Sequence, residues 1–290
     1  MRFALIVGVF TGLLAVASAA SFTNPLKPIN GSDPHMTYSD GYYYLMTTTW
    51  TNLQITRAKT LGGLKTGETR VVWADGNPSR CCNVWAPELH RIDNTFSYAG
   101  QLTPDWGIDA TILRVQNQNY FVWSCFSRGI QSMCIAPMNS PTSIGAGKVL
   151  SEPTLDWERV DTPVNEGPAP LYHDGKIFLA YSASFCWTPS YQLGLLTYNG
   201  GDPTLMSSWT KTGPFFSSAN GNYGPGHNAF VNSPDGTEVW NIYHATWIQT
   251  GNCDGNRYTS ANKVSWHPDG SPNFGQPDPV GTTLTGPSGE

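Results

Sequence analysis

Charge is what this sequence has least of. Asp, Glu, Lys and Arg make up 13% of its 290 residues, about half of the ~25% usual in soluble proteins. That leaves too few charged pairs for long solvent-exposed helices or coiled coils. Positive charge is scarcer still, with 16 Lys+Arg against 21 Asp+Glu and a net charge of −5. A polyanion would find nothing to neutralise it, so nucleic acid is excluded as a partner. Long apolar runs are missing too: residues 3–16 form the one candidate, and it falls short of the ~20 residues a spanning helix needs. The six cysteines stand at no spacing with histidine that would build a zinc site.

The short apolar run has another reading. Arg2, the run 3–16 and the small residues Ala17-Ser18-Ala19-Ala20 form the pattern of a secretory signal peptide, with cleavage expected after Ala20 or Ala19. The chain therefore divides into a leader, 1–20, and a single domain, 21–290, that is secreted, extracellular and expected to be a monomer. Six cysteines in an exported chain should be oxidised, in any of 15 pairings. Cys125 and Cys134 flank Arg128-Gly129 and suit a hairpin clip; a bond between the adjacent Cys81 and Cys82 would stiffen the loop before Trp85; Cys186 and Cys253 would then remain.

What is plentiful is Gly (30), Pro (22) and aromatic residues (12%), a mixture that favours strands and turns. These residues repeat. A short strand, a tight turn and an aromatic or β-branched strand recur after Asp33, Asp109, Glu166 and His227, with turns at Asp40-Gly41, Asn117, Asp174-Gly175 and Asp235-Gly236. Each copy is a hairpin signature. Counting from the opening polar residue to the turn gives 7, 8, 8 and 8 residues, which predicts equivalent places for the four polar groups at the start of an inner strand.

Antiparallel units repeated around an axis make a β-propeller, and residues at inner-strand starts share its mouth. The steps 109 to 166 to 227 suit blades of roughly 40–50 residues or slightly more. Between Asp33 and Asp109 a further copy opens at Trp85-Ala86-Pro87-Glu88-Leu89, only 21 residues before Asp109. The expected fold is thus an all-β, five-bladed propeller with a truncated second blade. Carboxylates converging in an aromatic mouth are what glycoside hydrolysis requires, one to protonate the leaving oxygen and one to activate water or attack.

Ser32-Asp33-Pro34-His35, Trp85-Ala86-Pro87-Glu88-Leu89, Gly107-Ile108-Asp109-Ala110-Thr111, Asn165-Glu166-Gly167-Pro168 and Gly226-His227-Asn228 together resemble glycoside hydrolase family 43. The resemblance spans nearly all of the domain. It implies an inverting hydrolase acting on arabinose- or xylose-containing polysaccharides or oligosaccharides, with Asp33 as general base, Glu166 as general acid and Asp109 orienting the acid and raising its pKa. Residues 257–277 further resemble members that release terminal α-L-arabinofuranosyl groups. The alternatives are a β-xylosidase, an endo-arabinanase, or an inactive carbohydrate-binding propeller. Family members usually carry a few tens of extra residues between the Trp-Ala-Pro-Glu segment and the middle aspartate, where here Asn94-Thr95 runs straight into Phe96-Ser97. Trp85 is a candidate sugar platform, His227 a channel histidine near the ligand, and Arg257 a hydrogen-bond donor to the sugar. No cofactor is required; calcium is the cation to consider in the channel.

Overall fold

The computed structural model describes residues 20–90 and 100–290. The leader, apart from Ala20, and the junction at 91–99 lie outside the described residues. Four antiparallel sheets of radial blades make up the fold. The first blade holds β1 (His35–Ser39), β2 (Tyr42–Met46), β3 (Asn52–Ala58) and β4 (Glu68–Ala74). The third holds β5 (Gly107–Val115), β6 (Gln118–Ser127), β7 (Ile130–Ser140) and β8 (Lys148–Ser151). In the fourth are β9 (Asn165–His173), β10 (Lys176–Ala183), β11 (Gln192–Tyr198) and β12 (Trp209–Phe215). The fifth contains β13 (Tyr223–Asn232), β14 (Val239–Thr246), β15 (Tyr258–Trp266) and β16 (Pro272–Asn273).

In each blade the four strands named follow one another in space in chain order, the first two joined by a tight turn. Asp40-Gly41, Arg128-Gly129 and Asp174-Gly175 each place two consecutive residues at positive φ, between 45° and 81°. That is the primed turn whose twist matches a right-handed hairpin. Alternating apolar residues then face the neighbouring blades. Met36, Tyr43 and Leu45 of the first blade pack with Val231, Trp240 and Ile242 of the fifth. Leu113 and Val122 pack with Leu179 and Tyr181 between the third and fourth, and Phe178 and Leu193 with Tyr243 and Tyr258 between the fourth and fifth. Inner strand β9 lies against β5 and β13, and β13 against β1. The ring is tied by Ser21–Thr23 pairing with Thr283–Thr285.

Among the described residues the second position holds no sheet, only the irregular segment 84–90, which bends at Ala86. Val84 bridges to Trp50, and His35 Nδ1 accepts a hydrogen bond from Leu89 N at 3.2 Å. The third blade's face toward this position carries Phe121, Trp123 and Cys125, covered partly by Leu102, with Trp106 and Phe126 left exposed. The disulfides are Cys81–Cys82, Cys125–Cys134 and Cys186–Cys253.

One correction to the repeat follows from the turns. The β5–β6 turn begins at Gln116, whose φ is +53°, and not at Asn117, so Asp109 is equivalent to Gly167 and not to Glu166. Asp109, Gly167 and His227 each sit where the ladder slips at the start of an inner strand, with φ of 57°, 53° and 42°. Asp33, at 53°, holds the same conformation just before β1. A bulge of this kind re-aims side chains. Glu166 stands one residue earlier, so it enters the mouth from a different direction than the other three.

Candidate active site

The left-handed backbone at Asp33, Asp109 and His227 is disfavoured by about 1–2 kcal/mol per non-glycine residue. Three such residues meeting in one place mark a site that the surrounding fold holds under constraint. His227 Nδ1 lies 3.3 Å from Asp33 Oδ1 and 3.8 Å from Asp109 Oδ2. Gly167 N donates to Asp109 Oδ2 at 3.3 Å, so Asp109 lies against the peptide that follows Glu166. Glycine is required at 167: a Cβ there would stand 3.0 Å from His227 Cγ and 3.2 Å from its Nδ1. His227 is itself fixed by its N–H donating to Ser182 Oγ at 2.6 Å.

Asp33 is held by polar side chains, and its own backbone N–H donates to His244 Nδ1 at 3.0 Å. Thr48 Oγ1 donates to its Oδ2 at 2.6 Å, and Arg257 Nη1 and His244 Nδ1 lie 3.4 Å from Oδ1. Burial alone would raise its pKa; the Arg257 guanidinium, then His227 and His244, outweigh it and hold the carboxyl well below the usual range. Asp33 is therefore an anion at any working pH. Arg257, expected from the sequence to meet the sugar, is 6% exposed and lies behind Asp33, with Nη1 also 3.1 Å from His244 Nε2. His244 is pushed down to about 3 by burial and then by Arg257, so the ring is neutral.

The other two carboxyls are pushed the opposite way. Glu166 is raised to about 7, first by burial and then by the charge of Asp109. Asp109 is raised to about 8, first by burial and then by Asp33. Tyr191 OH donates to Glu166 Oε1 at 2.8 Å, and Gln131 Nε2 to Oε2 at 2.7 Å. Carboxyl groups driven apart in this manner are the signature of separate acid and base duties in one site.

Trp85 flanks this mouth, 45% exposed, with its ring edge-on to Trp50 at 6.0 Å. Its neighbour Ala86 donates its N–H to Thr48 Oγ1 at 2.9 Å, which links the second-blade segment to Asp33. Deeper in the channel His35, Glu88 and His90 converge, with Glu88 bonded to His90 and also to Thr111. Two imidazoles and one carboxylate are a poor donor set for calcium, which takes six to eight oxygens. A histidine that ligates through one nitrogen donates from the other, whereas His35 Nδ1 accepts from Leu89 N. Its remaining proton thus sits on Nε2, aimed at Glu88 Oε2 at 3.9 Å. The three side chains are thus held to one another by the short Glu88–His90 contact and the longer Glu88–His35 one.

Tyr191, Gln131 and His244 carried no motif. His244 alone had a local signal, as a polar residue closing the apolar strand Val239–Thr246 at its mouth end.

The sequence model of Glycosyl hydrolases family 43 matches residues 22–100 and 91–272. An extracellular exo-α-(1→5)-L-arabinofuranosidase from Streptomyces avermitilis is 35% identical over 316 aligned positions, covering 91% of this chain and 65% of that protein. The α-L-arabinofuranosidase 43 of Humicola insolens is 35% identical over 342 positions, covering 98% and 70%. The crystal structure of an α-L-arabinofuranosidase from Lactobacillus brevis superposes with a TM-score of 0.81 at 30% identity, covering 90% of this chain and 98% of that one. Alignments of 316 and 342 positions exceed the 290 residues available, so both relatives carry residues that this chain lacks. The two pieces of the family match meet at 91–100, which puts the shortfall at the second blade.

Proposed function

Because the chain belongs to glycosyl hydrolases family 43, we propose that it is a secreted, inverting exo-α-L-arabinofuranosidase that releases terminal arabinofuranosyl groups from arabinan or arabinoxylan. The observation that carries this reading is the opposed protonation of neighbouring carboxyls, Asp33 ionised and Glu166 raised to about 7. Glu166 gives its proton to the glycosidic oxygen as the bond from that oxygen to the anomeric carbon breaks. Asp33 takes a proton from the water whose oxygen forms the new bond on the opposite face. Solvent exchange then returns the proton from Asp33 to Glu166. Asp109, bound to Gly167 N, holds the acid's peptide in place.

Arabinofuranosyl specificity is supported by the names of the Streptomyces, Humicola and Lactobacillus relatives. Export is supported by three disulfides and by the Streptomyces relative's being extracellular. A monomer suffices, since one copy supplies all three carboxyls. No resident metal takes part in this chemistry, and Trp85 is the sugar platform at the rim.

The shortfall at the second blade favours a second reading, a sugar-binding propeller without turnover. Against it stands the complete set of carboxyls with their opposed protonation. Hydrolysis of aryl α-L-arabinofuranoside should exceed that of aryl β-D-xyloside. Preference for the xyloside would overturn the arabinose assignment, and activity on neither would favour the binding propeller.

A further inference from the structure

An acid that lends one proton can hold it on only one of its two oxygens, and the neighbours decide which. Glu166 is held at both, by Tyr191 OH at Oε1 and by Gln131 Nε2 at Oε2. The orientation of the Gln131 amide is fixed by a chain behind it. Ser124 Oγ lies 3.1 Å from the Asn165 carbonyl oxygen, which can only accept, and 3.0 Å from the Gln131 side-chain amide. The hydroxyl's single hydrogen goes to that carbonyl, so toward Gln131 the serine must accept, and the atom facing it is the amide NH2. Both hydrogens of this NH2 are then assigned, one to Ser124 and one to Glu166 Oε2. A group that only donates cannot receive the acid's proton. Tyr191 OH can donate or accept, and the Ser182 hydroxyl supports it from the far side.

We propose that Gln131 is a positioning residue that fixes the transferable proton of Glu166 on Oε1, the oxygen beside Tyr191. This rests on Glu166 being the general acid. In the ionised state both donors satisfy the carboxylate; in the acid state Tyr191 reverses and Gln131 does not. The charged and titratable groups facing Glu166 are Asp109 from β5, Asp33 before β1, His227 from β13 and Tyr191 before β11. None of them touches Oε2, where Gln131 is the hydrogen-bond partner among the described residues.

The test is Gln131→Met, which keeps the volume and removes the donor. A hydrogen bond to a carboxylate favours the ionised form, so its loss should raise the titration midpoint of Glu166 by about one pH unit. The midpoint is read from the side-chain carboxyl 13C signal, assigned by its disappearance in Glu166→Gln. The alkaline limb of kcat/KM should rise with it. Turnover of an arabinofuranoside with a poor leaving group should fall about tenfold while a good leaving group is nearly unaffected, because only proton delivery has been disturbed. Ser124→Ala, which leaves Gln131 in place but frees its amide to flip, should move the same readouts less far. An unmoved midpoint in both variants, with equal losses on all leaving groups, would overturn the proposal. A wild type inert toward every glycoside, with the midpoint still shifted in Gln131→Met, would refute the hydrolase reading and leave the proton's placement standing.

Discussion

Replacing Glu166 by Gln should make the protein more stable at neutral and alkaline pH while abolishing turnover of arabinofuranosides with poor leaving groups. The folded state raises this carboxyl from 4.5 to about 7, and each unit is about 1.36 kcal/mol of preference for the protonated form. Unfolded, the group titrates near its ordinary value. Below pH ~4 both states carry the proton and the shift contributes nothing against folding. Between ~4.5 and 7 the unfolded chain loses its proton while the folded one keeps it, so stability falls as pH rises, and above ~7 the loss is complete at about 3 kcal/mol. A glutamine carries no such penalty. It can point its oxygen at the Gln131 amide and its nitrogen at the Tyr191 oxygen, the same polarity as the protonated acid. Thermal unfolding of Glu166→Gln against wild type should therefore give nearly equal Tm at pH 4 and a variant higher by roughly 6 °C at pH 8, at 2–4 °C per kcal/mol for a domain near this size. A Tm difference that is flat with pH, or that turns against the variant as pH rises, would refute the reasoning.

Gly167→Ala should lose about 1–2 kcal/mol from its φ of +53°, and at least tenfold in kcat as His227 and the acid's peptide move apart; full activity would mean that the close approach to His227 is not needed. Asp33→Asn should impair arabinofuranosides with good and poor leaving groups alike, whereas Glu166→Gln should spare the good ones; parallel losses in both variants would count against the assigned roles. Chelation with EDTA should leave kcat/KM unchanged within a factor of two, and a loss restored by calcium would contradict the proposal that no resident metal takes part in the chemistry.

How much of this was legible in the sequence depends on how local each feature is. The Asp-Gly turns and the apolar alternation after them are local, and the blades stand where they were read. The equivalence of the polar groups slipped by one residue because Asn117 resembles a turn residue, whereas the chain turns at Gln116. No count along the chain reveals a bulge, and it is the bulge that gives Gly167, not Glu166, the place of Asp109. Gln131 and Tyr191 reach Glu166 across 35 and 25 residues, from a strand start and a loop with no pattern of their own. Arg257 sits in a loop stretch as an arginine that could face sugar or aspartate, and only the folded chain brings its Nη1 to 3.4 Å from Asp33 Oδ1.

The central claim is that Asp33 activates a water while Glu166 protonates the departing oxygen of a terminal arabinofuranosyl group. Proton NMR of the first-formed sugar, followed from the moment enzyme meets an aryl α-L-arabinofuranoside, tests it most directly. The account predicts β-L-arabinofuranose first, with the α anomer growing only through mutarotation. An α product from the outset would contradict it, because Asp33 would then be attacking carbon instead of activating water.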